Sequence, residues 1–234
     1  MQEFYHKWYS PIIGKDMEML VFGHSGRPVI LFPTSQGKYY EAKDRGLIQS
    51  VEWFIDNGFV KIYCVDSIDS WSWYNKNVHP ATRAYNHTLY DRYIAEEVLP
   101  LALHETGWHT ATVAGCSFGG YHAANFAFRH PEKNHAMISM SGVFDIKSQV
   151  DNHYDDNVYF NNPVDYLPND DNGALWQLQI ILGTSYADIC YTQNVRLSEI
   201  LSKKNINYRL DIRGNAPHDW NMWLEMFPHY LSVL

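Results

Sequence analysis

The class of fold follows from one segment, Thr112-Val113-Ala114-Gly115-Cys116-Ser117-Phe118-Gly119-Gly120-Tyr121. Its apolar start reads as a buried strand, its glycines as a sharp turn, and Tyr121 to Arg129, ending before Pro131, as a helix. The turn spells G-x-S-x-G. Between a strand and a helix, that spacing holds the serine at a strained corner with its hydroxyl raised above the sheet. A side chain two positions to either side would collide with the strand or helix, which accounts for Gly115 and Gly119. The helix N-terminus also points at the corner, where its dipole favours developing negative charge. Ser117 is the candidate nucleophile.

Outward from this corner, strands and helices alternate. Met19 to Phe22 and Val29 to Phe32 read as strands joined by the short turn His24-Ser25-Gly26-Arg27, which predicts an antiparallel first hairpin. Leu47 to Asn57 has helical spacing and stops at Gly58; Phe59 to Val65 is a buried-type strand; Tyr85 to Leu103 is a long helix limited or kinked by Pro100. Ala136 to Met140, Leu178 to Leu182 and Tyr208 to Ile212 read as strands, and Val195 to Lys204 and Trp220 to Leu231 as helices. Such alternation implies an α/β fold, a mostly parallel central sheet with helices on both faces. No repeat or linker divides the 234 residues, so one domain is expected over 1–234. The exception to the alternation is an irregular insertion over 147–175, acidic and aromatic, read either as a loop pinned by its aromatics or as a small cap. Asp151, His153 and Asp155 within it offer only a weak metal pattern, without the Gly and the final Glu of a calcium loop.

A formal charge of −8 and no concentrated basic face argue against a nucleic-acid partner. No stretch approaches the roughly 20 apolar residues of a membrane span, and the first residues lack a signal-peptide pattern. Cys64, Cys116 and Cys190 are too scattered for a disulfide framework or a zinc site. A soluble, cytoplasmic protein with no metal or cofactor is the expectation; homo-oligomerisation is left open.

A serine hydroxyl needs a base, and the base needs an orienting carboxylate. On this type of sheet they follow the serine in the order acid, then histidine. Of the later histidines, only His218 follows a late strand in a loop; His229 falls within the last helix, and His122, on the helix after Ser117, reads as a packing residue. Asp188, just past the strand Leu178 to Leu182, is the favoured acid, with Asp145 as its rival. The oxyanion of a tetrahedral intermediate needs donors: the Phe118 N–H, and a second from Pro33-Thr34-Ser35-Gln36-Gly37, with Ser35 preferred and Gln36 next. Trp71, Trp73 and Tyr74, in the loop after Phe59 to Val65, read either as pocket residues, with Gln36, or as anchors of that loop.

These residues carry a resemblance. Tyr5 to Ser10, Val29 to Gly37, Ser67 to Pro80, Gly115 to Ala123, Ala187 to Asn194 and the ending His218-Asp219-Trp220-x-x-Trp223 together resemble the esterase D-like esterases of the α/β-hydrolase superfamily, over essentially the whole chain. The resemblance implies an α/β-hydrolase fold, carboxylic-ester hydrolysis, a Ser117-Asp188-His218 triad and no cofactor. The early loop departs from the pattern, reading Pro33-Thr34 where many relatives have His-Gly or Asp-Gly. A small-molecule ester, short-chain acyl or aryl, is the expected substrate. An acyltransferase or thioesterase would use the same residues, and a silent hydrolase-like binding protein is the reading from another class; the complete set of serine, acid and histidine weighs against silence.

Overall fold

The strands on either side of Ser117 lie at the middle of an eight-stranded sheet in the computed structural model, which describes residues 1–234. In chain order they are β1 (Glu3–Ser10), β2 (Lys15–Phe22), β3 (Arg27–Phe32), β4 (Val60–Val65), β5 (Ala111–Cys116), β6 (Asn134–Met140), β7 (Gln179–Thr184) and β8 (Arg209–Ile212). Across the sheet the order is β1-β2-β4-β3-β5-β6-β7-β8. Every pair from β4 to β8 is parallel, while β1–β2 and β2–β4 are antiparallel.

The expected partners of the first hairpin are corrected. β2 and β3 do not pair, because β4 lies between them, with Phe22 opposite Ile62 and Val29 opposite Ile62 on its other side. The turn before β3 docks onto the start of β4: the Arg27 N–H donates to Phe59 O at 2.9 Å, and Gly26, at φ +107°, lies so close to the Gly58–Val60 backbone that no Cβ would fit. The antiparallel first hairpin is β1–β2 instead, closed by a turn in which the Gly14 N–H reaches Ser10 O at 2.8 Å. β1 is a largely exposed edge strand, so it carries no apolar run by which to be recognised.

Side-chain alternation on the central strands builds two cores. On β3, Ile30 and Phe32 face one layer and Val29 and Leu31 the other; on β5, Ala111 and Val113 oppose Ala114 and Cys116. The first layer holds helices Pro80–Tyr93, Leu99–Thr106, Phe118–Arg129 and Tyr191–Lys203; the second holds Leu47–Ser50, Glu52–Asp56 and Trp220–Leu231. The long helix expected over 85–103 runs further at both ends and contains a π-turn, Ile94–Val98, just before Pro100. A proline has no N–H to continue the ladder, and the wider turn absorbs that defect. The helix expected over 47–57 is divided at Val51.

Strand order positions the site. From β3 the chain departs to β4 on one side, and from β5 to β6 on the other. The loops leaving β3 and β5 therefore diverge, and a crevice opens above their C-terminal ends. No helix is long and apolar enough to cross a membrane.

Candidate active site

β5 ends at Cys116, and helix Phe118–Arg129 begins one residue after Ser117. Ser117 itself has φ 55° and ψ −120°, the strained corner that the G-x-S-x-G spacing predicts. A Cβ on Gly119 would lie 2.5 Å from Phe32 O, and one on Gly115 would overlap the Gly119 backbone. Both glycines are therefore required by close approach of the helix to β3 and β5.

Three residues from three loops meet here. The Ser117 hydroxyl donates to His218 Nε2 at 2.9 Å, and His218 Nδ1–H donates to Asp188 Oδ1 at 2.8 Å. Asp188 follows β7, and His218 follows β8, at the same edge of the sheet. The Asp188 side chain is fully shielded from solvent. Burial alone would raise its pKa; the hydrogen bond from His218, the Ser141 side chain and the Cys190 N–H outweigh burial and hold the carboxyl below its ordinary value. It is thus an anion aimed at the imidazole, fixing its tautomer. Asp188 also caps the turn that follows, its Oδ1 accepting from Cys190 N at 2.8 Å. Trp223, from helix Trp220–Leu231, packs edge-on to the His218 ring at 5.1 Å, so the Trp-x-x-Trp ending supports the base.

Asp145 takes no part in this chain of hydrogen bonds. Its carboxylate pairs with Arg196 at 3.0 Å and Lys147 at 3.4 Å, on the rim of the cleft. Asp151 is held by Arg83 and His153 by Asp155, so the acidic insertion spends these groups on its own architecture.

The cleft above Ser117 has a volume of about 320 Å³ and is walled by Ser35, Tyr74, Phe118, Val143, Ile146 and Gln149 among others. Of the three aromatics expected there, only Tyr74 lines it, donating to Ser35 Oγ at 2.9 Å. Trp73 is completely buried with Phe118 and Tyr121, beneath the start of the nucleophile helix. Trp71 lies outside the cleft, with the Lys15 ammonium 3.9 Å above its ring. Gln36 also lies off the cleft wall; its contribution is a backbone one. From the 147–175 insertion, Ser148 and Gln149 reach the cleft, whereas its later part is pinned to the helical layer through the fully buried Asn161 and Asn162. Asn161 accepts from Asn125 and Arg129, and Asn162 from the Ile146 N–H.

Two residues that line the cleft, Phe118 and Ser35, have backbone N–H groups without a hydrogen-bond partner. The Phe118 N–H is the first of its helix and has no carbonyl one turn earlier to bond. In the β3 loop, Thr34 N donates to Glu41 Oε2 at 2.8 Å, Gln36 N to Asp69 Oδ2 at 2.9 Å and Gly37 N to Thr34 O at 2.8 Å. Between Thr34 and Gly37, the Ser35 N–H is the one left without a partner.

His122 does more than pack. It is buried as expected, but its Nε2–H also donates to Asp69 Oδ1 at 3.0 Å, and Asp69 is itself 1% exposed. The two lie 53 positions apart, and no local pattern announces the pair.

A family model described as "Putative esterase" matches residues 21–232. Among solved structures, a ferulic acid esterase superposes with a TM-score of 0.80 at 16% identity, over 99% of this chain and 97% of its own. S-formylglutathione hydrolase from Agrobacterium tumefaciens gives 0.79 at 12% identity, over 99% and 93%. That from Staphylococcus aureus gives 0.74 at 19% identity, over 99% and 95%. These likenesses show a shared α/β-hydrolase fold. No match was found among curated proteins.

Proposed function

The chain belongs to this esterase family, and from that premise we propose that it hydrolyses small carboxylic esters through an acyl-enzyme on Ser117. The observation that carries this reading is the unbroken chain Ser117 Oγ–His218–Asp188, opening into a cleft. As Ser117 Oγ attacks the ester carbonyl, His218 Nε2 takes its proton, and Asp188 stabilises the imidazolium through Nδ1–H. The carbonyl oxygen becomes an oxyanion between the N–H groups of Phe118 and Ser35. Collapse of the intermediate breaks the ester C–O bond, and His218 returns the proton to the departing alcohol. Water then repeats the sequence: His218 removes its proton, the hydroxide attacks the acyl carbonyl, and Ser117 leaves reprotonated with the free acid.

Cleft size supports short acyl or single-ring aryl esters. About 320 Å³ lies at the low end of small-molecule sites. Tyr74, Phe118, Val143 and Ile146 supply apolar contact. The test is a p-nitrophenyl ester series of acetate, butyrate and octanoate, alongside phenyl acetate. The expected result is a kcat/KM highest for the short acyl chains and falling for octanoate. A steady rise to octanoate would overturn the size assignment, and no hydrolysis of any member would overturn the ester reading.

A further inference from the structure

We infer that Asp69 and His122 form a buried positioning pair that sets the second oxyanion donor, an inference that rests on the proposed Ser117 chemistry. Neither residue hydrogen-bonds to Ser117 or His218, and neither lines the cleft. Their position instead joins the two structures that each present a donor. His122 belongs to helix Phe118–Arg129, whose first N–H is one donor; Gln36 belongs to the β3 loop, whose Ser35 N–H is the other. Asp69 bridges them, accepting from His122 Nε2 at 3.0 Å through Oδ1 and from Gln36 N at 2.9 Å through Oδ2.

The loop conformation explains why a bridge is needed. Gln36 has φ +56°, in the left-handed region that a non-glycine residue occupies at some cost. That conformation turns its N–H to Asp69. With Gln36, Thr34 and Gly37 all engaged, Ser35 keeps a free N–H beside the Ser117 cleft. Without the carboxylate, the Gln36 N–H loses its acceptor, only the Gly37 N–H bond to Thr34 O still closes the turn around Gln36, and the Ser35 N–H loses its aim. The His122 ring cannot rotate to release Asp69: it is edge-on to Phe118 at 5.1 Å and lies 5.7 Å from Phe32 and 5.3 Å from His87. Both bridge residues are nearly solvent-free, so the hydrogen bonds are not exchanged for water and the spacing between helix and loop is fixed.

The test compares Asp69→Ala with Asp69→Asn on the ester that the enzyme hydrolyses best. A side-chain amide can accept from Gln36 N through its oxygen and donate to His122 through its nitrogen, whereas alanine does neither. For Asp69→Ala, kcat should fall about 100-fold, the scale of a lost oxyanion donor, with KM changed less than about threefold. A trifluoromethyl ketone, which forms a tetrahedral oxyanion on serine, should bind weaker by the same factor. Asp69→Asn should recover most of the lost kcat and inhibitor affinity. If Asp69→Ala does not fold, Asp69→Ser, too short to bridge both partners, carries the same expectation. A folded Asp69→Ala or Asp69→Ser enzyme with wild-type kcat and inhibitor affinity would overturn the inference, as would KM rising while kcat holds. Ser117→Ala is assayed in parallel. Activity surviving that substitution sinks the Ser117 reading itself; Ser117-dependent activity indifferent to Asp69 sinks only the positioning role.

Discussion

Two concave regions lie at opposite ends of the sheet, and the larger one holds no reactive pair. At the N-terminal ends of β3, β4 and β5 is a pocket of about 580 Å³, walled by Trp53, Phe54, Phe59, Val60 and Trp108, with the Arg27 guanidinium 4.3 Å from the Trp108 ring centre. At the C-terminal ends is the cleft of about 320 Å³ above Ser117. The first offers apolar area and one cation; the second has three loops converging on a hydrogen-bonded serine, histidine and aspartate. Strand polarity accounts for the difference. In a parallel sheet each C-terminal strand end releases a loop at the same edge, so groups distant in sequence meet there. Cavity size alone would have chosen the wrong end.

The largest effect that can break this comparison is Ser117→Ala. It should lower ester kcat by about 10⁴-fold or more, whereas Trp108→Ala at the opposite end should leave kcat within about twofold. Steady-state kinetics of both variants checks it, and an equal loss in each would erase the distinction. Next comes the acid. Asp188→Asn should cost about 10⁴-fold in kcat through a mis-set histidine tautomer, and Asp145→Asn no more than about tenfold.

A smaller contrast separates two neighbouring tryptophans. Trp73 is buried against Phe118 and Tyr121, so Trp73→Ala should cost about 3–5 kcal/mol in urea unfolding. Trp71→Ala, at an exposed site, should stay within about 0.5 kcal/mol. The reverse order would contradict the assignment of Trp73 to the core and Trp71 to the surface.

The smallest effect concerns acid. Burial pushes the Asp165 carboxyl up, but hydrogen bonds from Lys147, Asn162 and Tyr154 prevail and hold it below its ordinary value. A carboxyl depressed in the folded state adds stability above its unfolded pKa, and that stability is lost as pH falls through the folded pKa. Asp165→Asn should therefore reduce the unfolding midpoint at neutral pH and flatten its decline on acidification. An unchanged slope would show that these contacts carry no net stabilisation.

How much of this was legible follows from how local each signal is. The corner at Ser117 was readable because strand, glycines and helix are contiguous, and Asp188 and His218 because each follows a recognisable strand. The last helix, Trp220–Leu231, matches its expected bounds because Asp219 caps it and its apolar spacing is regular. What escaped was set by tertiary placement. The short turn between β2 and β3 looks like a hairpin until β4, almost thirty residues later, inserts between them. Trp71 and Trp73 differ only in which way an irregular loop turns. The Asp69–His122 bridge and its hold on the Gln36 N–H exist only once three distant segments have packed together.

Whether Ser117 is the nucleophile is decided by the site of covalent labelling with a fluorophosphonate, mapped by peptide mass spectrometry. One adduct is expected, on the Ser117 hydroxyl of the native protein, and none on Ser117→Ala or on protein unfolded in urea. An adduct on another residue, or labelling that persists in Ser117→Ala, would contradict it.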